Sequence, residues 1–416
     1  MTLFVLGPNS RAKAGTTIGL GCQGCGFLEP CGGTTDFDCY PNCCGEPNRC
    51  RSACPRSDNF SLVVQDGGGI SIERNYCIRH SEDDLPLYIP HVHSGSCRSQ
   101  VLESPYVALT TFDLIAPKAK RLFGTAAELR EHFRVTASAK ILLVSIAKDD
   151  RLEHFWRFAA SRNLAVQLAN LGVSHITAPN FSFPLDVPRP EHLVNRSRSL
   201  LAAEMFAAAG LSVIPHVNAF NRTDYDCWRD FLRDHPHLSM IAQEFQTGLA
   251  TRKKASWHIW QLRNVEQSLG RRLRLIAVAG RRHLPLLVGL SAVTITDSVP
   301  FMRTHMRRRL DHNRGGWEIR QTPKGEPLDE LLQHNVAMYT RQVEVTIASC
   351  KRVGPVVPCY EDVPAEETAI PLGASDSQLR LPLFRAANMK SSATGTAALG
   401  TKPMPETMEQ LITQND

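Results

Sequence analysis

The chain has 416 residues, of which 43% are hydrophobic, 21% charged and 7% aromatic, a composition that excludes fibrous and wholly disordered proteins. No apolar run approaches the roughly 20 residues that span a bilayer, and the first residues lack the pattern of a secretory signal, so we expect a cytoplasmic protein without a membrane partner. The formal net charge is only +6, so a nucleic-acid partner has to be argued from where the positive charge lies.

Cysteines dominate the first region, residues 1–100. Of the 13 cysteines in the chain, eight are clustered near its beginning: Cys22, Cys25, Cys31, Cys39, Cys43, Cys44, Cys50 and Cys54. In a reducing compartment such thiolates are metal ligands more often than disulfide partners. They could complete two all-cysteine zinc sites or hold an iron–sulfur cluster. We expect zinc, because nothing else in the sequence suggests redox chemistry.

Two weaker patterns follow in the same region. Residues 61–74 are predicted to form a hairpin around Gly67, Gly68 and Gly69. A second candidate group of metal ligands consists of Cys77, His80, His91, His93 and Cys97, although histidines are more often surface or core residues than ligands.

Apolar runs alternate with amphipathic segments in the second region, residues 101–345. The predicted strands are 106–115, 140–147, 175–181, 212–219, 239–245, 274–280 and 292–298. The predicted helices between them are 125–133, 152–172, 190–210, 225–236 and 255–270. Continuous apolar strands separated by helices indicate an α/β fold with a parallel sheet covered on both faces. Without a Gly-x-Gly-x-x-Gly turn, this favours a (β/α) TIM-like barrel; an open doubly wound sheet is the alternative.

The third region, residues 346–416, turns to Pro, Ala, Ser, Thr and Gly. We expect this carboxyl-terminal extension to be mostly disordered.

Polar residues follow the ends of most predicted strands. They include Asp113, Asn180, His216, Asn218, Glu244, Gln246, Gly280, Arg281 and Asp297. Any one of them could simply cap the next helix. Together they indicate a binding mouth, because chemistry in a barrel lies at the carboxyl ends of the strands.

Two segments resemble the barrel of the tRNA-guanine and DNA 7-deazaguanine transglycosylases. In 271–309 a strand ends in a glycine turn, and the next strand ends in Asp297, followed by Pro300 and Arg303. Segment 175–206 is similar to the family's strand, Pro-rich loop and helix that hold the base. The resemblance covers about residues 105–315.

The resemblance implies roles for individual residues. Asp297 falls on the nucleophile position, and Asp113 could match the acid that assists proton transfer. Asn180 stands where the family has an acidic base-recognition residue, and Gln246 resembles its base-binding glutamine. The chain lacks the zinc site that the family has downstream of the nucleophile. It also lacks one of the family's strand-helix units, between Gln246 and Leu275. These departures place the chain nearer to the DNA-modifying members of bacteria and phages, or to other phage-associated barrels, than to the tRNA enzymes.

The chemistry of base exchange requires the residue types that this resemblance points to. It needs a carboxylate nucleophile (Asp297), a proton donor for the departing purine (Asp113 or Glu244), and amides that read the base edge. The amides are supplied by Asn180, Asn218 and Gln246, beside Glu244 and Gly280.

A group of arginines near the ends of the last predicted strands, which we call the arginine collar, predicts contacts with phosphates. Arg281, Arg282, Arg303, Arg307 and Arg308 are its main members, and arginine suits bidentate phosphate contacts. We therefore expect an enzyme that exchanges a guanine-type base for a modified 7-deazaguanine in nucleic acid, DNA rather than RNA. The alternatives are a non-catalytic, metal-dependent nucleic-acid-binding protein of a bacterial or phage system, and an iron–sulfur radical enzyme. The oligomeric state does not follow from the sequence.

Overall fold

A computed structural model describes nine stretches of the chain: 47–49, 52–70, 75–81, 84–93, 98–116, 120–121, 123–184, 187–313 and 316–353. Of the eight clustered cysteines, only Cys54 lies in these stretches, where it is buried and unpaired. The predicted zinc or iron–sulfur site therefore lies outside the described residues, as does the extension from residue 354 onward.

The strands carry the α/β architecture. In chain order they are β1 (Tyr88–Pro90), β2 (Tyr106–Thr110), β3 (Ile115–Ala116), β4 (Lys120–Arg121), β5 (Lys140–Val144), β6 (His175–Thr177), β7 (Ser212–Ile214), β8 (Met240–Glu244), β9 (Arg274–Val278), β10 (Ala292–Asp297), β11 (Arg308–Asn313) and β12 (Gly316–Gln321). All seven predicted strand segments contain a strand, and β1, β4, β11 and β12 are additional ones.

Two four-stranded parallel sheets form the centre of the fold. One has the order β1-β10-β9-β8 and the other β2-β5-β6-β7. Single parallel bridges, His91 to Ala108 and His216 to Ala242, join residues beside the edges of the two sheets. The strands β3 and β4, and β11 and β12, pair separately as antiparallel ribbons. The prediction of an α/β fold with parallel sheets is confirmed.

Side chains alternate between the two faces of each strand, and this alternation divides the core into two layers. One apolar cluster draws on both sheets and includes Ile89, Ala108, Leu142, Ile214 and Ile276. The other is much larger and packs the opposite strand faces against the helices. Both faces of these strands are thus buried, as the continuous apolar runs require.

The helices cover the outer layer. They are α1 (Phe60–Asp66), α2 (Ala126–His132), α3 (Asp149–Phe158), α4 (Leu164–Ala169), α5 (Arg189–Ala208), α6 (Arg222–Asp234), α7 (Arg252–Leu269), α8 (Leu284–Leu287), α9 (Val299–His305) and α10 (Leu328–Val353). None of the described helices is both long and apolar enough to cross a bilayer.

Two local predictions are wrong. Residues 60–66 form helix α1 instead of the first arm of a hairpin, and the backbone N–H of Gly67 closes its last turn on the Val63 carbonyl. The predicted helix 152–172 is two helices, because Asn163 takes a left-handed conformation with φ of 49° between α3 and α4. Asparagine tolerates this conformation better than most residues do.

Candidate functional site

Polar side chains replace apolar ones at the carboxyl ends of the strands, on the face that the two sheets share. Glu244 and Thr296 are both in register with Val278, a member of the shared apolar cluster. His91 and His216 are bridged to Ala108 and Ala242, two further members. We call the surface formed by His91, His216, Glu244 and Thr296 the mouth. Three of these four side chains, those of His91, His216 and Thr296, are buried, and convergent polar groups of this kind are a feature of binding sites.

Glu244 and Asn180 form a hydrogen-bonded pair at the mouth. The Asn180 side-chain amide donates to Glu244 Oε2 at 2.7 Å. Burial raises the pKa of Glu244 more than the hydrogen bonds from Asn180 and Thr247 lower it. A carboxyl group with a raised pKa can hold a proton and give it to a departing group, which is the property of a general acid.

His216 and Asn218 form a second pair in the segment after β7, where His216 is bridged to Ala242 of β8. His216 Nδ1 lies 3.1 Å from Asn218 Oδ1, and the Asn218 amide nitrogen donates to the Phe181 carbonyl at 2.8 Å. Burial lowers the pKa of His216 to about 4, so its ring is neutral at neutral pH. Its Nε2 atom is buried and has no hydrogen-bond partner among the described residues.

Asp113 stands beyond β2 and is held by a histidine that follows β1. His93 Nδ1 lies 3.1 Å from Asp113 Oδ2, and the two side chains are 37% and 31% exposed. His93 stacks on His91, whose Nε2 is 2.9 Å from Thr110 Oγ1. Burial lowers the pKa of His91 to about 3. Asp113 is therefore an accessible carboxylate beside a histidine, at the same end of the strands as Glu244.

Asp297 occupies a different environment from the other predicted site residues. It is 3% exposed, and its Oδ1 accepts hydrogen bonds from the Tyr88 hydroxyl at 3.1 Å and the Val299 backbone N–H at 3.0 Å. Arg281 Nε lies 3.4 Å from its Oδ2. Burial raises the pKa of Asp297 more than Arg281 lowers it.

The strand register puts Asp297 and Glu244 on opposite faces. Thr296 shares the face of Glu244, and Asp297 is the next residue along the strand, so its side chain points the other way. Tyr88, its hydrogen-bond partner, belongs to the outer apolar cluster. The sequence predicts that Asp297 lines the mouth within reach of Gln246 and of at least one of Arg281, Arg282 and Arg303. The structure joins Asp297 to Arg281, but it turns Asp297 away from the face of Glu244 and its partner Asn180.

The two other predicted base-binding residues, Gln246 and Gly280, differ in exposure. Gln246 is exposed. Gly280 is buried, and a Cβ atom on it would lie 2.7 Å from Ala277 Cβ and 3.2 Å from Leu287. This glycine is explained by close packing in the outer layer.

The predicted arginine collar is divided among several local contacts. Arg281 contacts Asp297, bonds to Gln342 at 3.0 Å and lies over the Tyr339 ring. Arg307 donates to the carbonyls of Pro323 and Glu326. Arg303 is half-buried, and Arg282 and Arg308 are exposed. Of these five arginines, only Arg282 and Arg308 are exposed.

The histidines of the second candidate group of metal ligands are separated by the fold, and Cys97 of that group lies outside the described residues. His80 bonds to Ser239 and to the Val213 carbonyl near the amino ends of the strands, whereas His91 and His93 follow the carboxyl end of β1. Within the described stretches, no three His, Cys, Asp or Glu side chains are grouped so that they could hold a metal ion.

In the sequence, His91 and His93 stand out only as weak candidates for metal ligands, and His216 only as one of the polar residues after strand ends. A signal for placing them at the site is present, because His91 and His216 follow strand ends at the spacing that returns the side chain to the inner face.

Comparisons with known proteins add little. No family model matches the chain, and no curated protein sequence matches it. A solved structure described as PhdJ bound to a substrate intermediate is 11% identical, with 64% of this chain and 76% of that chain covered and a TM-score of 0.28. A similarity this weak carries no argument about function.

Proposed function

We propose that the protein is an enzyme that exchanges a guanine-type base for a 7-deazaguanine in nucleic acid, with DNA as the preferred substrate. The observation that carries the proposal is the Asn180–Glu244 pair, a carboxyl group of raised pKa fixed by an amide at the mouth. A departing purine needs such a proton donor, and amide and carboxyl groups match the donors and acceptors of its edge.

The proposal includes the closure of the two sheets into one eight-stranded (β/α) barrel. The bridge from His91 to Ala108 would join β1 to β2, and the bridge from His216 to Ala242 would join β7 to β8. The strand order then becomes β1-β2-β5-β6-β7-β8-β9-β10 and returns to β1. In this ring β2 and β8 are diametrically opposite, because three strands separate them in either direction.

This arrangement supports opposite roles for the residues after β2 and β8. When a nucleoside lies across the mouth, its sugar contacts Asp113 and its base contacts Glu244. Asp113 is the better candidate for the nucleophile than Asp297, because it is 31% exposed whereas the Asp297 side chain is 3% exposed. A nucleophile must reach the sugar carbon, which a carboxylate enclosed by Tyr88 and Arg281 cannot do without rearrangement.

The reaction then has two balanced steps. The Asp113 carboxylate forms a bond to C1′ while the bond from C1′ to the purine nitrogen breaks, and the purine takes the bonding electron pair and the Glu244 proton. In the second step the incoming base returns its proton to Glu244 and attacks C1′, and the Asp113 carboxylate leaves. His93 holds Asp113 in position through its 3.1 Å contact.

The test is incorporation of an isotopically labelled base into a DNA oligonucleotide, measured by mass spectrometry of the nucleosides. We expect Asp113→Asn to abolish exchange and Glu244→Gln to slow it by about 10²–10⁴-fold. Asp150→Asn, which changes an exposed acid at the same end of the sheet, is the matched control and should exchange at the wild-type rate.

Two outcomes would contradict the proposal. If Asp297→Asn abolishes exchange while Asp113→Asn does not, Asp297 is the nucleophile. If the wild-type protein binds DNA without exchanging a base, the protein is the non-catalytic binder.

The zinc site of the cysteine cluster stays a prediction and takes no part in these steps. Metal analysis of the purified protein tests it, and a visible absorption band would favour an iron–sulfur cluster, since zinc is colourless.

A further inference from the structure

The hydrogen bonds around His216 determine which of its ring nitrogens carries the proton. The Phe181 carbonyl can only accept, so the Asn218 nitrogen must face it and the Asn218 oxygen must face His216. That oxygen can only accept as well, so His216 Nδ1 carries the hydrogen. His216 Nε2 is therefore a bare acceptor.

The position of Asn218 is itself fixed. The indole N–H of Trp228, a buried residue of helix α6, donates to the Asn218 backbone carbonyl at 2.8 Å. The loop that carries His216 and Asn218 is thus held from two sides. The ring cannot satisfy Nε2 by turning over without breaking its bond to Asn218.

The bare nitrogen belongs to the inner face of the strands. His216 is bridged to Ala242, whose side chain is in the apolar cluster shared by both sheets. It follows β7, the neighbour proposed for β8, and Glu244 ends β8. Nε2 has no hydrogen-bond partner in the described part of the chain, and a buried acceptor without a partner is unfavourable.

We propose that His216 is a specificity-determining residue, whose Nε2 accepts a hydrogen bond from an N–H group of the bound base. This inference rests on the proposed function, since it assumes that the mouth binds a base. It predicts selection of bases that present N–H donors on their edge, as the ring N–H and amino group of guanine do, over a purine without them. Because the pKa of His216 is lowered to about 4, the ring remains an acceptor throughout the neutral range.

A metal ion is the competing partner for a bare histidine nitrogen. The described residues supply no third ligand: they contain no suitable group of three His, Cys, Asp or Glu. A donor N–H needs only the one acceptor that is present.

The first test measures binding of nucleosides to the full-length protein by calorimetry. The two ligands are deoxyguanosine and the unsubstituted purine deoxynucleoside, which has no N–H donor on its base. We expect wild type to prefer deoxyguanosine by about ten-fold, the value of one well-placed hydrogen bond. His216→Phe keeps a ring of similar size but has no acceptor, so it should abolish the preference. His216→Gln offers a carbonyl oxygen and should restore part of it.

The second test observes the nitrogen directly. In protein labelled with ¹⁵N-histidine, nuclear magnetic resonance should find the His216 proton on Nδ1, and deoxyguanosine should shift the Nε2 resonance. A proton on Nε2, or an unchanged preference in folded His216→Phe, would overturn the inference. If base exchange is absent but the preference and the shift are present, the proposed reaction fails and the role of His216 stands.

Discussion

A buried ion-pair triad holds the loop of His216 in place, and its removal is predicted to be costly. Asp224 on α6 lies 2.6 Å from Arg189 and 2.8 Å from Arg196 of α5, and all three side chains are at most 4% exposed. Asp224 Oδ2 also accepts the backbone N–H of Phe220 at 2.7 Å. This last bond fixes the segment that follows His216.

The change Asp224→Asn keeps the size of the side chain but removes the buried negative charge that both arginines contact. Breaking a buried pair in this way costs about 3–5 kcal/mol, against a total stability of about 5–15 kcal/mol for a typical domain. The matched control is Asp226→Asn on the same helix. Asp226 pairs with Arg229 at 2.6 Å, but their side chains are 44% and 29% exposed, so its loss should cost about 0–1 kcal/mol.

Urea unfolding followed by the fluorescence of the five tryptophans, of which Trp228 is buried on α6, measures both changes. The pH dependence is a second readout. Burial alone would raise the pKa of Asp224, but Arg189 and Arg196 outweigh it and hold the pKa below its ordinary 3.8. The stability that Asp224 contributes is therefore present above about pH 4 and lost as the pH falls further. Equal, small losses in Asp224→Asn and Asp226→Asn would refute the reasoning.

Three further predictions follow from the mouth and its surroundings. Glu244→Gln removes a carboxylate whose pKa burial raises from 4.5, so this variant should be more stable than wild type at neutral pH. The gain in the free energy of unfolding should vanish below about pH 4.5, where Glu244 is protonated in the folded and the unfolded state alike. A gain that persists in acid would contradict this. Gly280→Ala brings a Cβ within 2.7 Å of Ala277 and should lower the free energy of unfolding by about 1–3 kcal/mol, with nucleoside affinity unchanged in calorimetry if Gly280 is a packing residue. Tyr88→Phe deprives the buried Asp297 of a hydrogen bond and should cost about 1–3 kcal/mol in a denaturant titration; a loss of base exchange in the folded variant would show that Asp297 takes part in the chemistry.

The strands of the two parallel sheets were mostly predictable, because a strand buried on both faces must be continuously apolar. The exception is β1, which ends at Pro90 and has Pro86 just before it, and prolines weaken the sequence signal of a strand. The hairpin prediction failed because the apolar residues of this segment are not buried. Residues 61–74 show a strand-like pattern in the sequence, but Leu62 is 62% exposed. An extended conformation would therefore gain no burial here, and the local hydrogen bonds of α1 form instead.

Which polar residues share the mouth could not be predicted from the sequence. The sequence indicates that Glu244 and Asp297 end strands, but the face of each follows only from the register with β9. A shift of one residue would exchange the faces. The tautomer of His216 also depends on Phe181, a residue 35 positions away whose carbonyl orients Asn218.

The most direct test of the account looks for the covalent intermediate. The protein is incubated with a guanine-containing DNA oligonucleotide without free base, and the intact mass is measured before peptide mapping. The account predicts an added mass equal to the oligonucleotide minus guanine, attached at Asp113 and missing from Asp113→Asn. An adduct at Asp297, or none in wild-type protein that binds the oligonucleotide, would contradict it.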